Sequence, residues 1–176
     1  MSTKPHDVTG KLVDWITGVR FRDIPPEAIA LAKQGILDSI GVALAGSLED
    51  DGRIITDYIR RLGQKEEAIV FGAGFRSSAE GAAMANGVMA HALDFDDTNH
   101  PGLCHPSCHL MPTVMALGEA RKASGADIIT SYLVGLDVDV KLGRGINPSS
   151  YRWGWHGTSI LGTIGAAAAA AISRSP

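Results

Sequence analysis

Apolar residues recur at three- and four-residue steps through almost the whole chain. A chain patterned this way buries its apolar surface by packing helices on helices. The clearest case follows Pro25 and Pro26, which suit a first helical turn: Ile29, Ala32, Ile36, Leu37, Ile40 and Leu44 line up until a stop at Gly46, with Asp23 as the expected cap. Val8, Leu12, Val13, Ile16 and Val19 predict an amphipathic helix between Asp7 and Val19. Ile54, Ile55, Tyr58, Ile59 and Leu62 predict another from Asp51 to Leu62, stopped by Gly63. Ser77 and Glu80 stand at capping-box spacing, and the alanine-rich stretch behind them predicts a helix to about Phe95. Further helices are expected from about Leu110 to Lys122, from Ala126 to Leu142, and from near Gly157 through the run Ala166 to Ala171. Only Ala68 to Phe71, ahead of a turn at Gly72 to Gly74, reads as a strand or an extended connector. The expected fold class is all-α, a single domain over residues 1–176. Small residues such as Gly81, Ala82, Ala85, Gly87, Gly162 and Gly165 predict close helix contacts inside a larger body.

A net charge of -3 gives no basic field to attract nucleic acid, so no nucleic-acid partner is expected. Met1 to Arg20 holds no continuous apolar run of the secretory kind, which makes the expected location cytoplasmic. Trp153 to Ser173 is too mildly apolar for a spanning helix and is expected in the core, with no membrane partner. Two cysteines, Cys104 and Cys108, make no disulfide framework.

Chemistry gathers in two places. Asp94, Asp96 and Asp97 crowd the expected end of the helix that carries His91, where exposed carbonyls already make the helix negative. On a continuous helix, Asp94, Asp97 and Thr98 would share a face with His91. The following loop, Asn99 to Ser107, adds His100 and His105, with Cys104 and His109 nearby. A histidine beside a carboxylate is a proton-transfer unit. The plainer reading is that these groups cap helix ends and line a wet loop, and His100 and His109 in particular read as structural. His91, Asp94, His100, His105 and His109 are ligand types. They form no H-E-x-x-H pair, and Cys104 and Cys108 lack a second pair, so no metal is expected. The second cluster runs from Tyr151 to Thr158, with His156 just ahead of a helix whose free amides favour an anion such as a carboxylate. Trp153 and Trp155 read as packing residues, and Arg152 as a solvated surface arginine.

At these clusters the sequence resembles the MmgE/PrpD family, which includes 2-methylcitrate dehydratase, cis-aconitate decarboxylase and iminodisuccinate epimerase. The resemblance rests on LDSIGVALAGS from Leu37, ANGVMAHALDFDDT from Ala85, HPS from His105 and GWHGTS from Gly154. It implies a helical domain that in full members is joined by a smaller α+β lid, a homodimer, and a lyase or isomerase that works without a cofactor on small di- and tricarboxylates. Carried over by position, it implies that Asp94, Thr98, His105 and His156 are active-site residues, with His105 moving the proton. Full members are more than twice as long and bring cationic and phenolic site residues from beyond this stretch. The chain is therefore expected to be the amino-terminal part of such an enzyme or to need a separately encoded lid. The alternative is a helical interaction module without turnover.

Overall fold

The computed structural model describes residues 7–172. Among the described residues it holds eight α-helices and one two-stranded hairpin. Helix α1, Val8–Gly18, starts on the Asp7 carboxylate, which accepts the Gly10 N–H at 2.7 Å. A 3-10 turn at Phe21–Asp23 then leads to α2, Pro26–Gly46. Asp23 is not its cap: it belongs to the turn, and the cap position falls to Pro25, which makes no side-chain bond there. The expected α2 core is also only partly buried, since Ala32, Ile36 and Ile40 pack inward while Leu37 and Leu44 are exposed. Helix α3, Asp50–Leu62, carries acids in its first turn, arginines in its last and Gly63 in the left-handed conformation behind it, which suits the helix dipole and leaves no strained cap.

The stretch expected to hold at most one strand folds as an antiparallel hairpin, β1 Ala68–Val70 with β2 Phe75–Ser77. Gly72 and Gly74 supply its left-handed turn positions. The pairing displaces the expected capping box by one residue. Ser77 is in β2 and its hydroxyl donates to Gln64 Oε1, while Ser78 caps α4, Ala79–His91, by accepting the Gly81 N–H at 3.1 Å. Asn86 fastens the hairpin to α4. Its side chain accepts the Phe71 N–H at 2.9 Å and donates to the Ile69 carbonyl at 3.0 Å.

Helix α5, Ser107–Arg121, lies at the centre, with Leu110, Met111 and Val114 shielded from solvent. It packs on α4, on α6, Gly125–Ile146, and on α8, Gly157–Ile172, while a single turn, α7 Ser149–Arg152, joins the last two. Helix α6 opens with a capping box between Ser124 and Asp127. Alanines and glycines permit the close spacing: Gly135 meets Leu110, Gly162 meets the His109 ring, and Gly165 meets the Asp139 carboxylate. At the other side of the core, Gly46 sits directly on the Met89 carbonyl, which ties the end of α2 to the last turn of α4.

A Cβ at Gly46 would collide with that carbonyl, whereas one at Gly41, in the same helix, would meet open space. Gly46→Ala is therefore expected to cost about 1–3 kcal/mol by overpacking. Gly41→Ala should add about 0.5–1 kcal/mol through the helix preference of alanine. Thermal unfolding of the two variants, read by circular dichroism, should move in opposite directions.

Candidate active site

Helix α4 stops at His91, so the acids that follow do not share a helical face with it. Asp94 turns the chain with φ of 49°, a conformation that aspartate tolerates better than most residues. After it the chain turns inward: Asp94 and Phe95 are exposed, Asp96 is buried and Asp97 half-buried. Asp97 reaches the start of α5. It accepts the Ser107 N–H at 2.9 Å and the Ser107 hydroxyl at 2.8 Å, and that hydroxyl oxygen in turn lies 2.5 Å from the Tyr132 phenol. This cap, supplied from ten residues upstream, starts α5 three residues before its apolar pattern begins. Burial pushes the Tyr132 phenol up to about 12, which keeps it a donor.

The loop that carries His105 is held along its length. Asn99 and Cys104 form a short antiparallel bridge, and the Asn99 side chain accepts the Gly102 N–H at 2.8 Å. Asn147 donates to the Gly102 carbonyl at 2.6 Å, and Gly157 lies against the Leu103 carbonyl so closely that no Cβ would fit. His105 donates its N–H to Thr158 Oγ1 at 3.0 Å, and its carbonyl accepts the Cys108 thiol at 3.2 Å. Burial raises Cys104 to about 11 and Cys108 further still, so both remain thiols rather than nucleophiles.

The imidazoles of His91 and His105 meet edge to face, with ring centres 4.9 Å apart. Between them lies Asp96, whose carboxylate is fully shielded. It is 3.0 Å from His91 Nδ1 and 3.3 Å from His105 Nδ1. The contact with His105 is out of line for a good hydrogen bond. Asp94 stands on the opposite, open side of His105, 3.6 Å from Nε2.

A cavity of about 300 Å³ opens beside this group, lined by Thr98, Asn99, His100, Leu103, Cys104, His105, Tyr151, His156 and Thr158. Three of the four residues named from the sequence, Thr98, His105 and His156, thus share one cavity, and the fourth, Asp94, touches the His105 ring. His156 is exposed, and its Nδ1 accepts the Ser159 N–H at 3.3 Å, capping α8. That bond makes Nδ1 an acceptor and leaves Nε2 to carry the proton. A second cavity, about 520 Å³, shares His156 and Thr158 and reaches His91 and His109. His109 pairs with buried Asp139 at 2.7 Å, in keeping with its structural reading. Trp153 and Trp155, expected to pack, are instead exposed, at 81% and 58%. They lie on the short connection around Gly154, where the described residues leave them largely uncovered.

Asp96 is the group that sequence reasoning placed only as one of three clustered acids. A continuous helix would have left Asp96 off the face shared by His91, Asp94 and Asp97, and the turn at Asp94 reverses that placement. Spacing along the chain likewise hides a grouping of ligand types that the fold creates. In space His91, Asp94, Asp96 and His105 bring one ligating atom each to within 4.8 Å of the others, while His100 and His109 stand outside the group. Two imidazoles and two carboxylates are a donor set that suits divalent cations. However, Asp94 faces Nε2 of His105 and Asp96 faces Nδ1, and one ring gives an ion one nitrogen.

Comparison with known proteins identifies the relatives of the chain. A cis-aconitate decarboxylase of Mus musculus is 34% identical over 169 residues, covering 93% of this chain and 34% of its own length. That of Homo sapiens is 32% identical, with coverages of 93% and 35%. A cis-aconitate decarboxylase-like protein, oryM of Aspergillus oryzae, is 28% identical, with coverages of 96% and 36%. The chain spans about a third of the length of these curated relatives. The profile of the MmgE/PrpD N-terminal domain matches residues 10–173, nearly the whole sequence, and with the helical architecture in agreement the chain belongs to the MmgE/PrpD family.

Proposed function

We propose that this chain forms the helical part of a lyase or isomerase site for a small di- or tricarboxylate, in which His105 moves a proton at the carbon next to a carboxylate. The carrying observation is the His105 imidazole itself, backed by a buried carboxylate and facing a cavity shared with Thr98 and His156. For elimination or epimerisation the C–H bond breaks, the proton goes to His105 Nε2 and the electron pair stays on the substrate as an enolate-like system, which expels hydroxide with its bonding pair or is reprotonated. For decarboxylation the bond from carbon to the carboxylate that leaves as carbon dioxide breaks, its pair forms the enolate-like system, and protonated His105 returns a proton from Nε2 to carbon. His156, with its Nε2–H, and the Thr98 hydroxyl are donors for the carboxylate and enolate oxygens, where added negative charge most needs stabilising. Asp94 stands at the reacting nitrogen rather than behind the ring. Its part in this reading is electrostatic, favouring the imidazolium that forms. The relatives are named as cis-aconitate decarboxylases, which makes cis-aconitate the first substrate to test, followed by 2-methylcitrate and iminodisuccinate.

Charge balance bears on the rest of the enzyme. Among the described residues neither cavity is lined by a lysine or arginine, so a polycarboxylate meets donors there but no fixed cation. This reading assigns the cations to polypeptide outside this chain, in a lid. The same observation favours the second reading, a helical module without turnover. Turnover of the three acids by the chain with its lid, and little by the chain alone, is the expected result. No turnover in any combination would overturn the catalytic reading.

In the active assembly, His105→Ala should lower kcat by about 10²–10⁴-fold, the usual worth of a positioned acid or base, with circular dichroism unchanged. His109→Ala, which strips the partner from buried Asp139, should lower the melting temperature more than it lowers the rate of folded enzyme. Equal turnover by His105→Ala would sink the mechanism.

The reading also gives the exposed leucines of α2, Leu31, Leu37 and Leu44, an occupant: a second copy of the chain. Light scattering after gel filtration should return twice the mass of one chain. A clean monomer across the concentration range would remove the dimer from the proposal.

A further inference from the structure

We propose that Asp96, together with His91, is the positioning element of the site: its buried carboxylate receives Nδ1–H from both imidazoles and thereby leaves the Nε2 lone pair of His105 as the atom that takes the proton. The proposal rests on the proton-transfer reading of His105 and names what orients it.

Three observations carry it. First, the Asp96 side chain has no exposure to solvent, and a carboxylate so placed requires donors around it. The ring nitrogens facing it are His91 Nδ1, at 3.0 and 3.2 Å from its two oxygens, and His105 Nδ1, at 3.3 Å. Second, His105 Nδ1 is itself buried and has no well-aligned partner, so Asp96 is the group within reach that can satisfy it. Such bonds are often long and poorly aligned in the ligand-free state and tighten when substrate closes the site. Third, the two carboxylates lie at opposite ends of one ring. Asp94 is 80% exposed and 3.6 Å from Nε2, on the open side, and cannot fix the ring from behind. The carboxylate that orients His105 is therefore Asp96 and not Asp94.

The consequence is a specific tautomer. A neutral imidazole in water prefers to carry its proton on Nε2, and a carboxylate at Nδ1 reverses that preference, as in other catalytic histidine–carboxylate pairs. His91 packs its ring against that of His105 and shares the same oxygen, which limits rotation of the ring. His156 shows the opposite arrangement: its Nδ1 is occupied as an acceptor and its Nε2 is the donor. The site then presents one imidazole as a proton acceptor and one as a proton donor, a division of labour set by what each Nδ1 touches.

The test reads the rings of the substrate-free chain. With histidine ring nitrogens labelled with ¹⁵N and the pH held where imidazoles are neutral, long-range proton–nitrogen correlation distinguishes Nδ1–H from Nε2–H rings. His105→Gln and His91→Gln assign the signals. In the unaltered chain both rings should be Nδ1–H. In Asp96→Leu, His105 should go over to Nε2–H. In Asp96→Asn, where one acceptor oxygen becomes a donor, at least one of the two rings should go over, and this variant decides if circular dichroism shows that the leucine variant does not fold. An Nε2–H His105 in the unaltered chain, or tautomers unchanged in the folded Asp96 variants, would overturn the proposal. So would stoichiometric zinc binding that perturbs both rings and is lost in Asp96→Asn, since Asp96 would then be a ligand. Because no substrate is needed, the outcomes separate: an active assembly with an Nε2–H His105 removes only this inference, and an Nδ1–H His105 in an assembly with no turnover removes only the catalytic reading.

Discussion

The seat of Gly157 on the Leu103 carbonyl decides where the imidazoles of the site come to rest. A helix start and a loop can approach this closely only where the helix lacks a Cβ, and the approach lets Thr158, one residue on, accept the His105 N–H. His156, one residue before, is thereby carried to the rim of the cavity into which His105 faces. Gly143 of α6 meets Gly102 of the same loop in the same way, and Asn147 secures the Gly102 carbonyl. Residues some fifty positions apart in sequence thus converge through close backbone approach, secured by the side chains of Thr158 and Asn147. The site inherits the rigidity of the helices on which the loop rests.

The molecule uses two buried acids, and it treats them differently. Asp139 has one imidazole partner, His109, and a second oxygen that faces Gly165 without a hydrogen bond. It is enclosed by α5, α6 and α8, and its pair belongs to the packing of those helices. Asp96 sits beneath the open side of the fold, where its two imidazole neighbours are partly accessible. Asp139 holds one imidazole between packed helices, while Asp96 faces two rings at once. Burial of the acid and exposure of the partner do not separate the two cases, since His109 and His105 are 18% and 23% exposed; the number of imidazoles at the carboxylate does.

The helices were legible because each depends mainly on its own apolar spacing, as the near coincidence of α2, α3, α6 and α8 with their expected spans illustrates. Helix ends were less legible, because several are fixed by groups far away in sequence. Asp97 starts α5 early, β2 takes Ser77 and leaves the cap to Ser78, and the turn at Asp94 ends α4 at His91. Hairpin pairing was hidden because a three-residue strand has too few positions to show alternation. The four site residues were named by resemblance, and nothing in the local pattern picks Asp96 from its neighbours. Its selection follows from the inward turn of the chain between exposed Phe95 and half-buried Asp97, a property of the folded segment.

That inward turn makes residues 92–98 unusual among surface loops, which as a class accept insertions and deletions readily. The segment is clamped at one end by the last turn of α4 and at the other by the grip of Asp97 on Ser107. Removing or adding a single residue between those clamps would turn a different side chain inward, setting a phenylalanine or the helix-capping acid where the imidazoles require a carboxylate. The number of residues here is therefore as much a part of the site as their identity, and a change of length would cost more than most substitutions.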